Sequence, residues 1–225
     1  MENHEIQPPD LPNLWQSPQG ALRIQELVKQ RFKRKRIDIT FQLRVWQLDA
    51  VGAILDKRDT LVVVPTSAGK SVLAWVPLVV SEETGLVKRG LSVVIVPTTV
   101  LAGDQVIGLR QFGLRGIELS DECIKHLDAK GVDLWTNLWR GKYDVVYTSP
   151  EMLEGNRWRE FALGKATHQK RRSLRPQILL IFNDEVHIMR SWGETFRPDF
   201  YNVKKQRSII PEDPTMVGAT ATLAP

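Results

Sequence analysis

One stretch limits what this chain can fold into more than any other: the apolar run Thr60-Leu-Val-Val-Val64, then Pro65-Thr-Ser-Ala-Gly-Lys-Ser71, then the apolar segment Val72 to Val80. A buried strand, a tight loop and a helix in that order form the context in which a Gly-Lys-Ser triplet binds phosphate. Backbone N–H groups at a helix N-terminus cradle the anion, a lysine reaches its outer oxygens, and a hydroxyl ligates Mg²⁺. Thr66, Ser67, Ala68, Gly69, Lys70 and Ser71 are therefore the predicted phosphate loop. The strict Walker A pattern also asks for glycine at position 64, where this chain has Val64.

Further β-rich runs follow at Ser92 to Val96, Asp144 to Thr148, Gln177 to Phe182 and Met216 to Ala219. Continuous apolar runs suit strands covered on both faces. Helix-compatible segments lie between them, as at Ser71 to Val80 and Val100 to Phe112. Alternation of this kind predicts an α/β fold with a mostly parallel sheet, right-handed crossovers and helices on both faces. Upstream, Leu22, Ile24, Leu27, Val28 and Phe32 space as one helix face, and Trp46, Ala50, Val51, Ile54 and Leu55 as another. Residues 1–20 carry four prolines and are expected to be an extended leader, with one domain over 21–225 and a basic surface insertion at about 156–176.

Composition adds exclusions. Cys123 is the one cysteine, so neither an internal disulfide nor a cysteine-held zinc is expected. The longest apolar run is far shorter than the ~20 residues of a membrane helix and contains Pro77, so no membrane partner is expected. A net charge of +5 fits a partner that carries phosphates.

The strand candidate Ile178-Leu-Leu-Ile-Phe182 runs through Asn183 into Asp184-Glu-Val-His187. Adjacent carboxylates at a buried strand's end are costly unless metal or catalysis uses them. In phosphoryl-transfer ATPases one carboxylate holds Mg²⁺ while a second group orients the attacking water. Asp184, with Ser71, is the predicted Mg²⁺ ligand; Glu185 and His187 join Lys70 as candidate catalytic residues.

In order along the chain, these residues resemble helicase superfamily 2, the DEAD/DEAH-box type, which implies a RecA-like motor lobe using ATP and Mg²⁺. Leu43-Arg-Val-Trp-Gln47 is similar to the motif whose glutamine reads adenine, so the resemblance makes Gln47 the base contact. A carboxamide can both donate to and accept from the adenine edge. Val93-Val-Ile-Val-Pro97 and Tyr147-Thr-Ser-Pro-Glu151 resemble motifs Ia and Ib, which implies strand contacts at Thr98, Thr99, Ser149 and Glu151. Ala219-Thr-Ala-Thr222 resembles motif III, so Thr220 and Thr222 are expected to couple the nucleotide and strand sites.

Trp192-Gly-Glu-Thr-Phe-Arg-Pro-Asp-Phe200 looks like the aromatic-rich loop of the RecQ helicases. Aromatic planes with arginines suit unpaired bases, which makes Trp192, Phe196 and Arg197, with Arg190 nearby, the expected DNA contacts. Ile188 stands where relatives carry cysteine, and Glu194-Thr195 replaces a histidine and aspartate pair.

The resemblance implies a 3′-to-5′ DNA helicase acting on single-stranded or junction DNA. A second RecA-like lobe in cis or trans is the expected partner, because no such lobe is expected within these residues and the isolated chain should be weakly active. Its compartment would be the nucleus in a eukaryote and the cytoplasm otherwise. Two alternatives stay open: a degenerate, non-catalytic nucleotide and nucleic-acid binding module, and an RNA helicase lobe of the same superfamily.

Overall fold

The computed structural model describes residues 14–65, 68–96, 100–164, 175–184 and 205–221. Six strands form one all-parallel sheet: β1 (Thr60–Val63), β2 (Gly90–Ile95), β3 (Gly116–Leu119), β4 (Val145–Thr148), β5 (Gln177–Asp184) and β6 (Thr215–Thr220), in the spatial order β1-β6-β5-β2-β4-β3. This is the α/β architecture expected from the alternating runs.

Alternation along each strand divides the core in two. Val94 of β2, Val145 and Tyr147 of β4, Leu180 and Phe182 of β5, and Val217 and Ala219 of β6 pack with helices α1 (Pro18–Lys35), α2 (Val45–Leu55), α3 (Val72–Glu83) and α4 (Val100–Leu109). Leu91, Val93, Ile95, Val146, Ile178 and Ile181 point the other way, toward α5 (Asp121–Asp128), α6 (Leu134–Trp139), α7 (Pro150–Leu153) and α8 (Asn156–Ala162). With both faces covered, the central strands are apolar throughout. In β5 the pairing steps from Leu91↔Ile178 to Ser92↔Leu180, so Leu179 is an extra residue opposite β2.

The boundary of the leader differs from expectation. Ser17 caps α1 by accepting from Gly20 N–H at 3.0 Å, and Pro18 opens the helix, so residues 18–20 are helical. Ahead of them, the Trp15 and Gln16 N–H groups each donate to the Asp56 carboxylate at 3.0 Å. The Trp15 carbonyl passes so close to Gly20 and Gly52 that a Cβ there would lie 2.3 and 2.6 Å from it. The buried stripe of α1 is Ile24, Leu27, Val28, Arg31 and Phe32; Leu22, expected on that face, is exposed.

The expected basic insertion needs a larger correction. Residues 156–162 form α8, which buries Trp158, Phe161 and Ala162 at i, i+3 and i+4 beneath exposed Arg157, Arg159 and Glu160. Arg175 turns inward, paired through both carboxylate oxygens of Glu212 and lying 5.6 Å from the Phe161 ring centre. Residues 165–174 lie outside the described residues. No described helix is long and apolar enough to cross a membrane.

Candidate nucleotide and nucleic-acid site

A parallel sheet brings all its strand ends to one edge, where loops can converge on a ligand. Register fixes which ends are neighbours here. Val63 pairs with Thr220, and the next residue, Val64, donates its N–H to the Thr220 carbonyl at 3.0 Å. Asp184 pairs with Ala219, Asn183 with Ile95, and Ile95 with Thr148. The phosphate-loop strand, the Thr220 strand and the Asp184 strand are therefore adjacent. Beyond them lie β2, leading to Thr98 and Thr99, and β4, leading to Ser149. At about 4.8 Å per strand, the four steps from β1 to β4 span roughly 19 Å.

The phosphate loop is held from α2. Gln47, three residues into that helix and nearly fully buried, accepts the Arg44 N–H at 2.8 Å through Oε1, closing the helix start in the manner of a capping box. Its Nε2 donates to the Gly69 carbonyl at 3.0 Å and reaches the Ala68 carbonyl at 3.4 Å. Arg44 donates from Nη1 to the same Ala68 carbonyl at 3.0 Å. The residue expected to read adenine is thus engaged with the loop that would hold the phosphates.

Gly69 has φ +85°, a conformation alanine enters only at cost, and an added Cβ would lie 3.0 Å from Gln47 Nε2. Lys70 is buried and Ser71 is exposed at the start of α3. The Ser71 side chain makes no capping bond, which leaves its hydroxyl suited to a metal or phosphate oxygen. Asp184 ends β5 half-buried beside β6, a hard oxygen donor on the strand next to the hydroxyl strand. This donor set fits Mg²⁺ shared with phosphate oxygens, and among the described residues no three His, Cys, Asp or Glu side chains form a separate metal cluster.

Thr220 is fully buried at the end of β6. Ser149 stands at the start of α7, half-buried, with no capping bond from its hydroxyl; Pro150 takes the first helical position and Glu151 faces solvent. Thr66, Ser67, Thr98, Thr99, Glu185, His187, Arg190, Trp192, Phe196, Arg197 and Thr222 lie outside the described residues.

Three side chains that the motifs did not single out belong to this edge. Arg44 ties to the loop as above; its signal was its place one helical turn before Gln47. Tyr147 is buried in β4, and burial, with the negative charge of Asp184 second, pushes its hydroxyl well above the ordinary phenol range. Asn183 is buried next to Asp184; its Nδ2 donates to the Val217 carbonyl at 3.3 Å, while its Oδ1 has no partner. A cleft of about 390 Å³ lined by Lys88, Arg89, Arg175 and Glu212 lies at the opposite end of the strands, where β2 and β5 begin, and is no part of this arrangement.

The family model for the DEAD/DEAH box helicases matches residues 44–225, from the arginine that grips the phosphate loop to the end of the chain. The chain belongs to the DEAD/DEAH box helicase family. Similar curated proteins are RecQ-family helicases. They include the ATP-dependent helicase SGS1 of Saccharomyces cerevisiae, 31% identical over 176 residues, which cover 78% of this chain and 11% of that protein. The putative ATP-dependent DNA helicase Q1 of Caenorhabditis elegans is 31% identical over 185 residues, covering 80% of this chain and 26% of that protein. The chain therefore spans about a tenth to a quarter of the length of these relatives. Among solved structures, the DUF1998 helicase MrfA bound to DNA and AMPPNP superposes with a TM-score of 0.61 at 20% identity, over 90% of this chain and 27% of that one. That likeness places the described fold among helicase RecA-like lobes.

Proposed function

We propose that this helicase-family lobe is the ATP-binding, DNA-engaging half of an ATP-dependent 3′-to-5′ DNA helicase of RecQ type. The observation that carries the reading is the strand order. It sets the phosphate-loop strand, the Thr220 strand and the Asp184 strand side by side, with the two strands that lead to Thr98–Thr99 and Ser149–Glu151 beyond them. A nucleotide bound at one end of this edge and a strand crossing the other would share one rigid sheet.

In this reading Thr66 to Ser71 wrap the phosphates, with Lys70 against the outer ones and Gln47 and Arg44 toward the base. Ser71 and Asp184 hold Mg²⁺, which when bound neutralises charge on the phosphates. Glu185 takes the proton of the attacking water, and His187, Thr220 and Thr222 relay the state of that site toward the strand contacts. Thr98, Thr99, Ser149 and Glu151 meet the strand's backbone and sugars, while Trp192 and Phe196 stack on its bases and Arg197 meets a phosphate. The DNA-bound MrfA structures and the DNA-helicase names of the relatives support a DNA partner. Those names, together with the yeast and animal sources, support the nucleus as compartment.

The missing element is a second RecA-like lobe. Arginines from such a partner stabilise charge on the transferring phosphoryl group, and their contribution is about 10³ or more in rate. The isolated chain should therefore turn over slowly. The test is Mg-ATP binding and hydrolysis by this chain, with and without single-stranded DNA, beside Lys70→Ala and Glu185→Gln. The reading expects binding lost in the lysine variant and slow, DNA-sensitive turnover lost in both. A folded wild-type chain that binds no nucleotide would refute it, and equal stimulation by RNA would move the substrate to RNA.

A further inference from the structure

Residues 205–209 form a helical turn that begins five residues after Phe200, the last residue of the aromatic-rich stretch. Gln206 on that turn is almost completely buried, and its Oε1 accepts the indole N–H of Trp158 at 2.9 Å. Its Nε2 reaches Glu154 Oε1 at 3.5 Å. Trp158 is wholly buried on α8, and Glu154 closes α7, the helix that starts directly after Ser149. The neighbouring residue anchors the other side of the turn: Arg207 pairs with Asp213 and, at 2.7 Å, with Asp59, whose other oxygen accepts the Met216 N–H at 2.9 Å. The turn is thus fastened on one flank to the helices that spring from Ser149 and on the other to the roots of β1 and β6.

The surroundings of Gln206 are otherwise apolar, with Leu153, Phe161, Ala162 and Ile210 in the same core cluster. A leucine would bury there without needing a partner. A glutamine is tolerated only in the one orientation that satisfies it, so it fixes geometry where an apolar side chain would merely fill space.

We propose that Gln206 is a positioning residue for strand binding. Through Trp158 it sets where the segment leaving the Trp192–Phe200 stretch meets the α7–α8 pair leaving Ser149–Glu151, and so holds two strand-facing stretches in one register. The proposal rests on the reading of those stretches given under the proposed function. Gln206 itself touches neither nucleotide nor strand.

The experiment measures three quantities on the full chain: affinity for a fluorescein-labelled oligothymidylate, affinity for a fluorescent Mg-ATP analogue, and the thermal midpoint. The variants are Gln206→Leu, Trp158→Phe, their double, and Ile210→Val as a control that loosens the same core without touching the polar tie. Gln206→Leu and Trp158→Phe should each weaken oligonucleotide binding about tenfold, the size of one orphaned buried partner. Nucleotide affinity should stay within about twofold of wild type. The double should lose no more than the larger single loss, because both remove the same contact. Ile210→Val should lower the midpoint and leave the oligonucleotide affinity unchanged.

Losses that multiply in the double, or an equal loss in Ile210→Val, would overturn the proposal by showing that only core stability is at work. Gln206→Leu binding the oligonucleotide as wild type does would overturn it as well. A wild-type chain that binds neither ligand would instead sink the functional reading beneath it. If Gln206→Leu does not fold, Trp158→Phe against Ile210→Val carries the same decision.

Discussion

Replacing Gly69 by alanine tests whether the phosphate loop is held by its own backbone or from α2. Two costs add. At φ +85° an alanine sits where Cβ crowds the following carbonyl, about 1–2 kcal/mol. Its Cβ would also stand 3.0 Å from Gln47 Nε2 and push the carboxamide off the Gly69 and Ala68 carbonyls, a loss of about 1 kcal/mol net. The sum is about 2–3 kcal/mol. Gly85 supplies the comparison, with φ +75° and nothing within 4 Å of an added Cβ, so Gly85→Ala carries the backbone cost alone. Urea unfolding followed by tryptophan fluorescence should rank Gly69→Ala below Gly85→Ala by about 1 kcal/mol, and that gap should vanish when both are made in a Gln47→Ala background. A fluorescent Mg-ATP analogue should bind Gly69→Ala more than about tenfold more weakly and Gly85→Ala normally. Equal stability losses in the two variants, or a gap that survives Gln47→Ala, would refute the idea that α2 holds the loop.

Other substitutions test the frame around the site. Arg31→Met removes the buried guanidinium that joins Glu82 and Glu83 from α1, leaving two carboxylates short of a partner, and should cost about 3 kcal/mol in chemical unfolding. Ser92→Ala deletes a fully buried hydroxyl with no hydrogen-bond partner, so the variant should match or exceed wild-type stability by up to about 1 kcal/mol; a clear loss would mean that the hydroxyl is satisfied. Asp133 caps α6 by accepting from Trp135 N–H and the Thr136 hydroxyl, bonds that hold its carboxyl below its ordinary 3.8. Asp133→Ala should cost about 1 kcal/mol at neutral pH. A depressed native value gives stability that is complete above 3.8 and lost as pH falls through the lower native value, so the two proteins should converge only in that acid range.

The sequence revealed those parts of the fold whose environment is uniform. β2, β4, β5 and β6 are covered on both faces, so their runs of Val, Ile and Leu showed as strands without any partner being known. β3 did not show: Gly116-Ile-Glu-Leu119 lies at the sheet edge, mostly half-exposed, and its mixed composition matches no simple period. In α8 the charges of Arg157, Arg159 and Glu160 masked a buried triplet, Trp158, Phe161 and Ala162, that the helical spacing does contain. At the site the same division holds. Lys70, Asp184 and Gln47 were legible because local context, a strand end or helix start, fixes their place. The grip of Gln47 and Arg44 on the Ala68 and Gly69 carbonyls was not, since it joins residues more than twenty positions apart through tertiary packing.

The extra residue in β5 has a consequence for how this family tolerates changes in length. Leu179 faces no residue of β2, and β6 pairs with β5 only from Leu180 onward. A deletion at 179 would join Ile178 to Leu180 as ordinary neighbours and leave Phe182 in the core and Asp184 at the strand end. A deletion at Ile181 or Phe182 would instead slide every later residue by one and turn the carboxylate to the opposite face of the sheet. The irregularity acts as an expansion joint: changes of one residue can be absorbed at the root of the strand while the tip that carries the chemistry stays where it is.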